Sequence, residues 1–202
     1  MLLWALPQEE TMEERRAALS RNVLLTGLTS FFTDVSSEMI YPLLQAFVSL
    51  ILSARRALLG PLLGIIEGLA ESTASLLKLY SGYRSDRLAR RKPLAVGGYA
   101  VSAAAKLLLL LASRGWPFVL LSRLTDRVGK GVRTAPRDAL IAESVPEAVR
   151  GRAFGVQRGM DFAGAAVGAL AAFFLARRFL DPATGTLTVM EGYLRIFLIS
   201  VA

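Results

Sequence analysis

The apolar positions of this chain fall in long blocks, not at the intervals of a soluble amphipathic helix. One block runs from about Val23 to Leu52, a second from about Leu58 to Tyr83, and a third from Leu94 to about Ala112. A fourth opens at Phe118, a fifth covers about Ala153 to Ala176, and a sixth opens at Tyr193 and reaches Ala202. Blocks of roughly 20 residues match the length a helix needs to cross about 30 Å of hydrocarbon at about 1.5 Å per residue. The pattern predicts an all-α integral membrane chain: five spans, then half of a sixth. Residues 1–20 form a cytoplasmic lead-in and residues 21–202 the helical body. Met1–Pro7 is apolar but has no basic start, and glutamates follow it, so it is not a secretory signal. Pro42 should kink or break the first span.

The polar exceptions are placed with some regularity. Asp34 and Glu38 lie four apart near the middle of the first span, hence on one helix face. Glu67 and Glu71 repeat that spacing on the second, which also carries Lys78. Lys106 interrupts the third, and Arg158 and Asp161 stand near the start of the fifth. The fourth block soon becomes polar: Arg123, Asp126, Arg127, Lys130, Arg133, Arg137 and Asp138 follow, and hydropathy alone would reject it as a span. The segments 142–152 and 177–191 are expected to be loops, with Pro146 in the first and Pro182 and Gly185 in the second. Trp4 and Trp116 suit interfacial anchors.

Composition agrees with this class. Of the 202 residues, 53% are hydrophobic, and mean hydropathy is +0.47. Net charge is +8 and the pI about 10.4, which in a soluble chain would suggest nucleic acid. Much of the excess here sits in connections between spans, where the positive-inside rule places it, so no nucleic-acid partner is expected. The hairpin Gly82–Pro93 alone holds Arg84, Arg87, Arg90, Arg91 and Lys92. Arg15, Arg16, Arg21, Arg150 and Arg152 bring the cytoplasmic cations to ten, if the N-terminus is inside. Six fall outside: Arg55, Arg56, Arg114, Arg177, Arg178 and Arg195. With no cysteine and no histidine, disulfides are excluded and the usual neutral-pH proton carrier is missing, so proton chemistry must use carboxylates. No metal-ligand set, nucleophile–base pair or phosphate loop is present; Gly129-Lys130-Gly131 lacks the spacing. Neither an enzyme nor a cofactor is indicated.

An intramembrane carboxylate costs about 2.5–3.5 kcal/mol on insertion scales, so these groups should face a bundle interior or an aqueous path. Asp34, Glu38, Glu67 and Glu71 are candidates to load and release protons, Asp34 foremost. The alternative is that the fourth span neutralises them. Its cations Arg123, Arg127, Lys130, Arg133 and Arg137 recur at steps of three and four, along one stripe. That stripe can grip an anionic substrate, Arg127 and Lys130 foremost, or form a salt-bridge network with Glu67, Glu71 and Asp34. Asp126 can pair with Lys130, and Asp138 with nearby cations.

The hairpin reads Gly82-x3-Asp86-Arg87-x-Ala89-Arg90-Arg91-Lys92-Pro93. It resembles the signature loop between the second and third helices of major facilitator superfamily (MFS) transporters, with Ala89 where that pattern has Gly. Arg123-x2-Asp126-Arg127-x-Gly129-x-Gly131 is similar to the family's fourth-helix motif, in which Gln and Gly usually occupy the places of Asp126 and Arg127. Arg150-Gly-Arg-Ala-Phe-Gly155 resembles the start of its fifth helix. Gly155-x8-Gly164-x3-Gly168 resembles the glycine motif of the antiporter branch, with Ala169 in place of Pro. The resemblance implies an N-terminal six-helix bundle of 3+3 inverted repeats, here with a truncated sixth helix, from a twelve-helix secondary transporter. Its implied activity is proton-coupled, efflux-like movement of a small organic solute by alternating access across a prokaryotic cell membrane. The implied cavity residues are Arg123, Asp126, Arg127, Lys130 and Arg133. Gly82, Asp86, Arg87, Arg90 and Arg91 would form a conformational latch, with Arg150 meeting Asp86. Gly155, Gly164 and Gly168 would pack helices. The implied partners are the lipid bilayer and a missing C-terminal half or a second copy. The competing expectation is a truncated, non-transporting half that serves as an interaction module or is a remnant.

Overall fold

The computed structural model describes residues 18–52, 57–88, 90–179 and 186–201. Most of the lead-in with Trp4, the Arg55–Arg56 loop, Ala89 and the segment with Pro182 and Gly185 lie outside the described residues. Among the described residues six α-helices follow in order: α1 Arg21–Ile51, α2 Leu59–Leu88, α3 Arg91–Leu108, α4 Trp116–Glu143, α5 Arg150–Phe179 and α6 Thr186–Val201. α3 continues as a 3₁₀ turn over Leu109–Arg114, and a second 3₁₀ turn, Glu147–Val149, leads into α5. No strand occurs among the described residues.

Local chemistry sets several boundaries. Ser20 caps α1, its hydroxyl accepting from the Val23 N–H at 3.5 Å. Gly115 has φ 142°, a conformation that favours glycine, and turns the chain directly into α4, whose first turn carries Pro117. Three expectations change. Pro42 lies inside one continuous helix and does not break it. The basic hairpin is mostly helical, because α2 runs to Leu88 and α3 starts at Arg91. α6 begins at Thr186, earlier than its apolar run from Tyr193 suggests.

Packing follows an inverted-repeat scheme. α1 packs chiefly along α5, and α2 along α4. Exchanging α1–α3 for α4–α6 carries the first pair onto the second, and likewise carries α3–α4 onto α6–α1, which are also in contact. Glycines permit the close approaches. A Cβ at Gly129 of α4 would lie 2.6 Å from the Gly98 carbonyl of α3, and one at Gly131 2.7 Å from the Ala74 carbonyl of α2. An apolar core joins α1, α4, α5 and α6, where Phe47 meets Tyr193 and Phe197 edge-on at 5.2 and 5.3 Å. A smaller core of Val23, Ile141, Val145, Val149 and Ala153 closes the other end.

Large apolar side chains such as Leu76, Leu79, Phe173 and Phe174 face outward, which suits lipid or helix contact better than water. By length and composition alone, two helical stretches among the described residues can cross a membrane, Arg91–Arg114 and Glu147–Arg178. α1, α2 and α4 are long enough, but each carries charge in its middle.

Candidate functional site

The site is organised by α4. Its cations recur at steps of four, three, three and four from Arg123 to Arg137, so a single helix turns successive cations toward its neighbours. Arg123 is buried and donates through Nε and Nη2 to both oxygens of Glu67 on α2, at 3.1 and 2.9 Å. Its guanidinium also lies over Tyr41 of α1, 4.6 Å from the ring centroid. One turn on, Arg127 pairs with Glu71 at 2.9 Å. Arg133 is buried against α3, where it donates to the Ser102 hydroxyl and stacks 4.7 Å over Tyr99. Arg137 donates to Ser30 of α1 at 3.0 Å and pairs with Asp138 at 2.9 Å and with Asp161 of α5 at 3.5 Å. Arg158 joins the same two aspartates at 3.7 and 3.5 Å.

Beside this column lies an open cavity of about 390 Å³ between α1, α2, α4 and α5. Four carboxylates and five cations line it. Glu71 is held by Arg127, and Asp161 by Arg137 and Arg158. Asp34 and Glu38 on α1, Lys78 on α2, and Lys130 and Arg133 on α4 form no ion pair with any described residue. A narrower void of about 10 Å³ extends between Tyr41 and the Arg123–Arg127 turn. There Oδ1 of Asp126 is buried without a hydrogen-bond partner. Lys106 of α3, also buried, donates to the Ser36 hydroxyl at 2.6 Å and the Thr33 carbonyl at 3.5 Å.

The structure thus divides the expected residues. Glu67 and Glu71 belong to the salt-bridge network, whereas Asp34 and Glu38 stay open to the cavity. Lys130 faces the cavity and does not pair with Asp126; Arg123 and Arg127 are engaged by α2. Asp138 does reach Arg137 and Arg158. Gly164 and Gly168 pack on α1: a Cβ there would lie 2.5 Å from the Phe31 and Val35 carbonyls respectively. Gly155, in contrast, has open space beside it.

At the hairpin, Asp86 meets Arg91 at 3.5 Å, not Arg150. Arg91 opens α3 beside the last turn of α4, where it also reaches Glu143 at 2.5 Å and the Ala139 carbonyl at 3.3 Å. Arg150 opens α5, and donates instead to the Ala142 carbonyl at 3.0 Å and lies 3.8 Å from Glu147. Arg87 folds back onto Tyr83, its Nη1 3.0 Å from the hydroxyl; Arg90 is exposed; and Gly82 packs against Ala135 of α4. Lys78 and Asp161 complete the cavity without having stood out in the sequence as site residues. Their signal was present: each is a charge at helical spacing from another, Lys78 seven after Glu71 and Asp161 three after Arg158.

Comparison with known proteins gives the same answer. Residues 26–185 match the model of the Major Facilitator Superfamily. The chain is 42% identical over 155 residues to an "uncharacterized MFS-type transporter" of Methanocaldococcus jannaschii, covering 77% of this chain and 37% of that one. It is 30% identical over 182 residues to an uncharacterized protein of Mycobacterium tuberculosis, covering 88% of this chain and 43% of that one. A Mycobacterium bovis protein matches to the same extent. The chain therefore spans about two fifths of the length of these curated relatives. No solved structure matches. The match across most of its length, over an inverted-repeat helical bundle, places this chain in the Major Facilitator Superfamily of membrane transporters.

Proposed function

We propose that this chain forms one half of a secondary active transporter that moves a small organic solute by alternating access. The opposite wall comes from a C-terminal half or from a second copy. The observation that carries this reading is the polar cavity, whose lining brings together Asp34, Glu38, Lys78 and Lys130 with no ion pair among them. Unpaired ionisable groups are costly at membrane depth and are retained where they serve an ion or substrate path. Protons are the coupling ion in this reading, and Asp34 is the principal carrier, with Glu38 beside it. Glu67 and Glu71 take a lesser part, since arginines already hold them. The direction is efflux, and the N-terminus lies on the cytoplasmic side of a prokaryotic cell membrane.

The hairpin acts as a latch in a modified form. Asp86, Arg91 and Glu143 link the ends of α2, α3 and α4 on one face, and the latch opens when the facing half moves away. The test is transport in proteoliposomes by the protein assembled with its second half. Asp34→Asn is expected to abolish uphill, proton-driven transport while leaving solute exchange intact. Unchanged uphill transport would remove Asp34 from the coupling role. Absence of any transport by the intact assembly would favour a non-transporting interaction module.

A further inference from the structure

We infer that the solute is amphoteric: it carries an anionic and a cationic group on one small polar body. The inference rests on the transport reading of the same cavity and adds the chemical class of what enters it. It comes from sorting the lining charges by whether the protein already satisfies them. Glu71, Asp161, Arg137 and Arg158 are engaged in ion pairs of 2.9–3.5 Å and offer a ligand little. The groups left over are separated by sign. Asp34 and Glu38 stand one helical turn apart on α1. Lys78 on α2 and Lys130 on α4 stand on the other helices, with Arg133 behind them already bonded to Ser102.

No ion pair joins the two sets, so each set keeps open hydrogen-bonding capacity at the cavity surface. A purely anionic solute would satisfy the lysines and leave two carboxylates facing its charge. A purely cationic one would do the reverse. Either arrangement buries one sign unmatched, which a site of low dielectric penalises strongly. A solute with a carboxylate or phosphonate at one end and an ammonium at the other satisfies both walls at once. The uncharged lining agrees: Ser30, Ser75 and Thr134 supply hydroxyls, while Phe162 is the one aromatic side chain among the described lining residues. A volume of about 390 Å³ lies toward the small end of ligand sites. The ammonium end then competes with protons for Asp34 and Glu38, which couples the two fluxes in exchange.

The test is ligand-dependent thermal stabilisation of the purified chain in nanodiscs, followed by radiolabelled uptake for any hit by the assembled transporter. Three size-matched sets are compared: α-amino acids, dipeptides and aminoalkylphosphonates; the corresponding monocarboxylates and phosphonates; and the corresponding amines. Stabilisation confined to the first set is expected. Lys130→Gln and Lys78→Gln should each weaken that binding about tenfold or more, the loss of one charge-assisted bond, and shift preference toward the amines. Asp34→Asn with Glu38→Gln should shift preference toward the anions. Equal stabilisation by singly charged compounds, or variants that leave the order of the three sets unchanged, would overturn the inference while leaving transport intact. Failure of all three sets to bind or be moved would likewise overturn the inference, whereas the transport reading falls only if the intact assembly moves no solute at all.

Discussion

α5 contains two kinds of glycine, and they should respond in opposite ways to the same substitution. At Gly159 a built Cβ meets nothing within 4 Å. At Gly164 it lies 2.5 Å from the Phe31 carbonyl oxygen and 3.1 Å from the Phe31 Cα, both backbone atoms of α1 that cannot rotate aside. A comfortable C···O contact starts at about 3.3 Å, so Gly164→Ala forces α5 back from α1 by about 0.8 Å. A gap of that size forfeits about a quarter to a half of the dispersion attraction of each affected atom pair. Overpacking of this kind costs about 1–3 kcal/mol. Both substitutions gain the same helix propensity, about 1 kcal/mol for alanine over glycine, so that contribution cancels between them. Gly159→Ala should therefore be stabilising by up to about 1 kcal/mol, and Gly164→Ala less stable than it by about 1–3 kcal/mol. Unfolding of the purified chain in mixed micelles, followed by circular dichroism against denaturing detergent, measures both. If Gly164→Ala proved as stable as Gly159→Ala, the α1–α5 contact would not be the close backbone packing described.

Other substitutions separate structure from function. Glu67→Gln should destabilise by about 3 kcal/mol, because it leaves buried Arg123 without its bidentate partner. Glu71→Gln, whose carboxylate is 60% exposed, should cost under about 1 kcal/mol; equal losses in the same unfolding assay would refute this ranking. Lys106→Met should be neutral or stabilising, by up to about 2 kcal/mol, since Ser36 keeps its bond to the Ser200 carbonyl and a buried cation is removed; a clear loss of stability would show that the ammonium is needed. Arg91→Gln should loosen the α2–α4 end and raise labelling of a cysteine placed at Ala139 in this cysteine-free chain, while Arg150→Gln should not; equal labelling of the two would refute Arg91 as the residue that holds this end together.

The membrane class, the helix count and the family were legible because they depend on block length and on short motifs. The matched rungs were legible too: glutamates four apart on α2 and arginines four apart on α4 have the spacing of two cross-helix pairs. Which carboxylates would remain open was not. That depends on the crossing of α1 and α2 against α4, which brings Glu67 and Glu71 within reach of arginine but leaves Asp34 and Glu38 facing the cavity. The same limit explains Asp86. Arg91 and Arg150 are both cations at the start of a helix, and only the placement of α3 beside the end of α4 selects Arg91. Gly155 failed as a packing residue for a related reason: its spacing from Gly164 is nine residues, two and a half turns, which turns it away from α1. Hydropathy misjudged α4 because the scale charges each cation in full, without the partners that neighbouring helices supply.

That column of cations has a consequence for how the chain is made. Each of Arg123, Arg127, Lys130, Arg133 and Arg137 would cost about 2.5–3.5 kcal/mol at the centre of an isolated helix, too much for α4 to leave the translocon into lipid by itself. Glu67, Glu71, Tyr99, Ser102 and Ser30 are all synthesised earlier, on α1, α2 and α3, so a waiting surface exists when α4 emerges. Asp161 comes later, on α5. Biosynthesis should accordingly retain α1–α3 at the exit site until α4 has joined them, with Arg137 gaining its Asp161 partner only when α5 follows. Glycosylation mapping can check this: α4 fused alone to a reporter should fail to span, and should span once α1–α3 precede it.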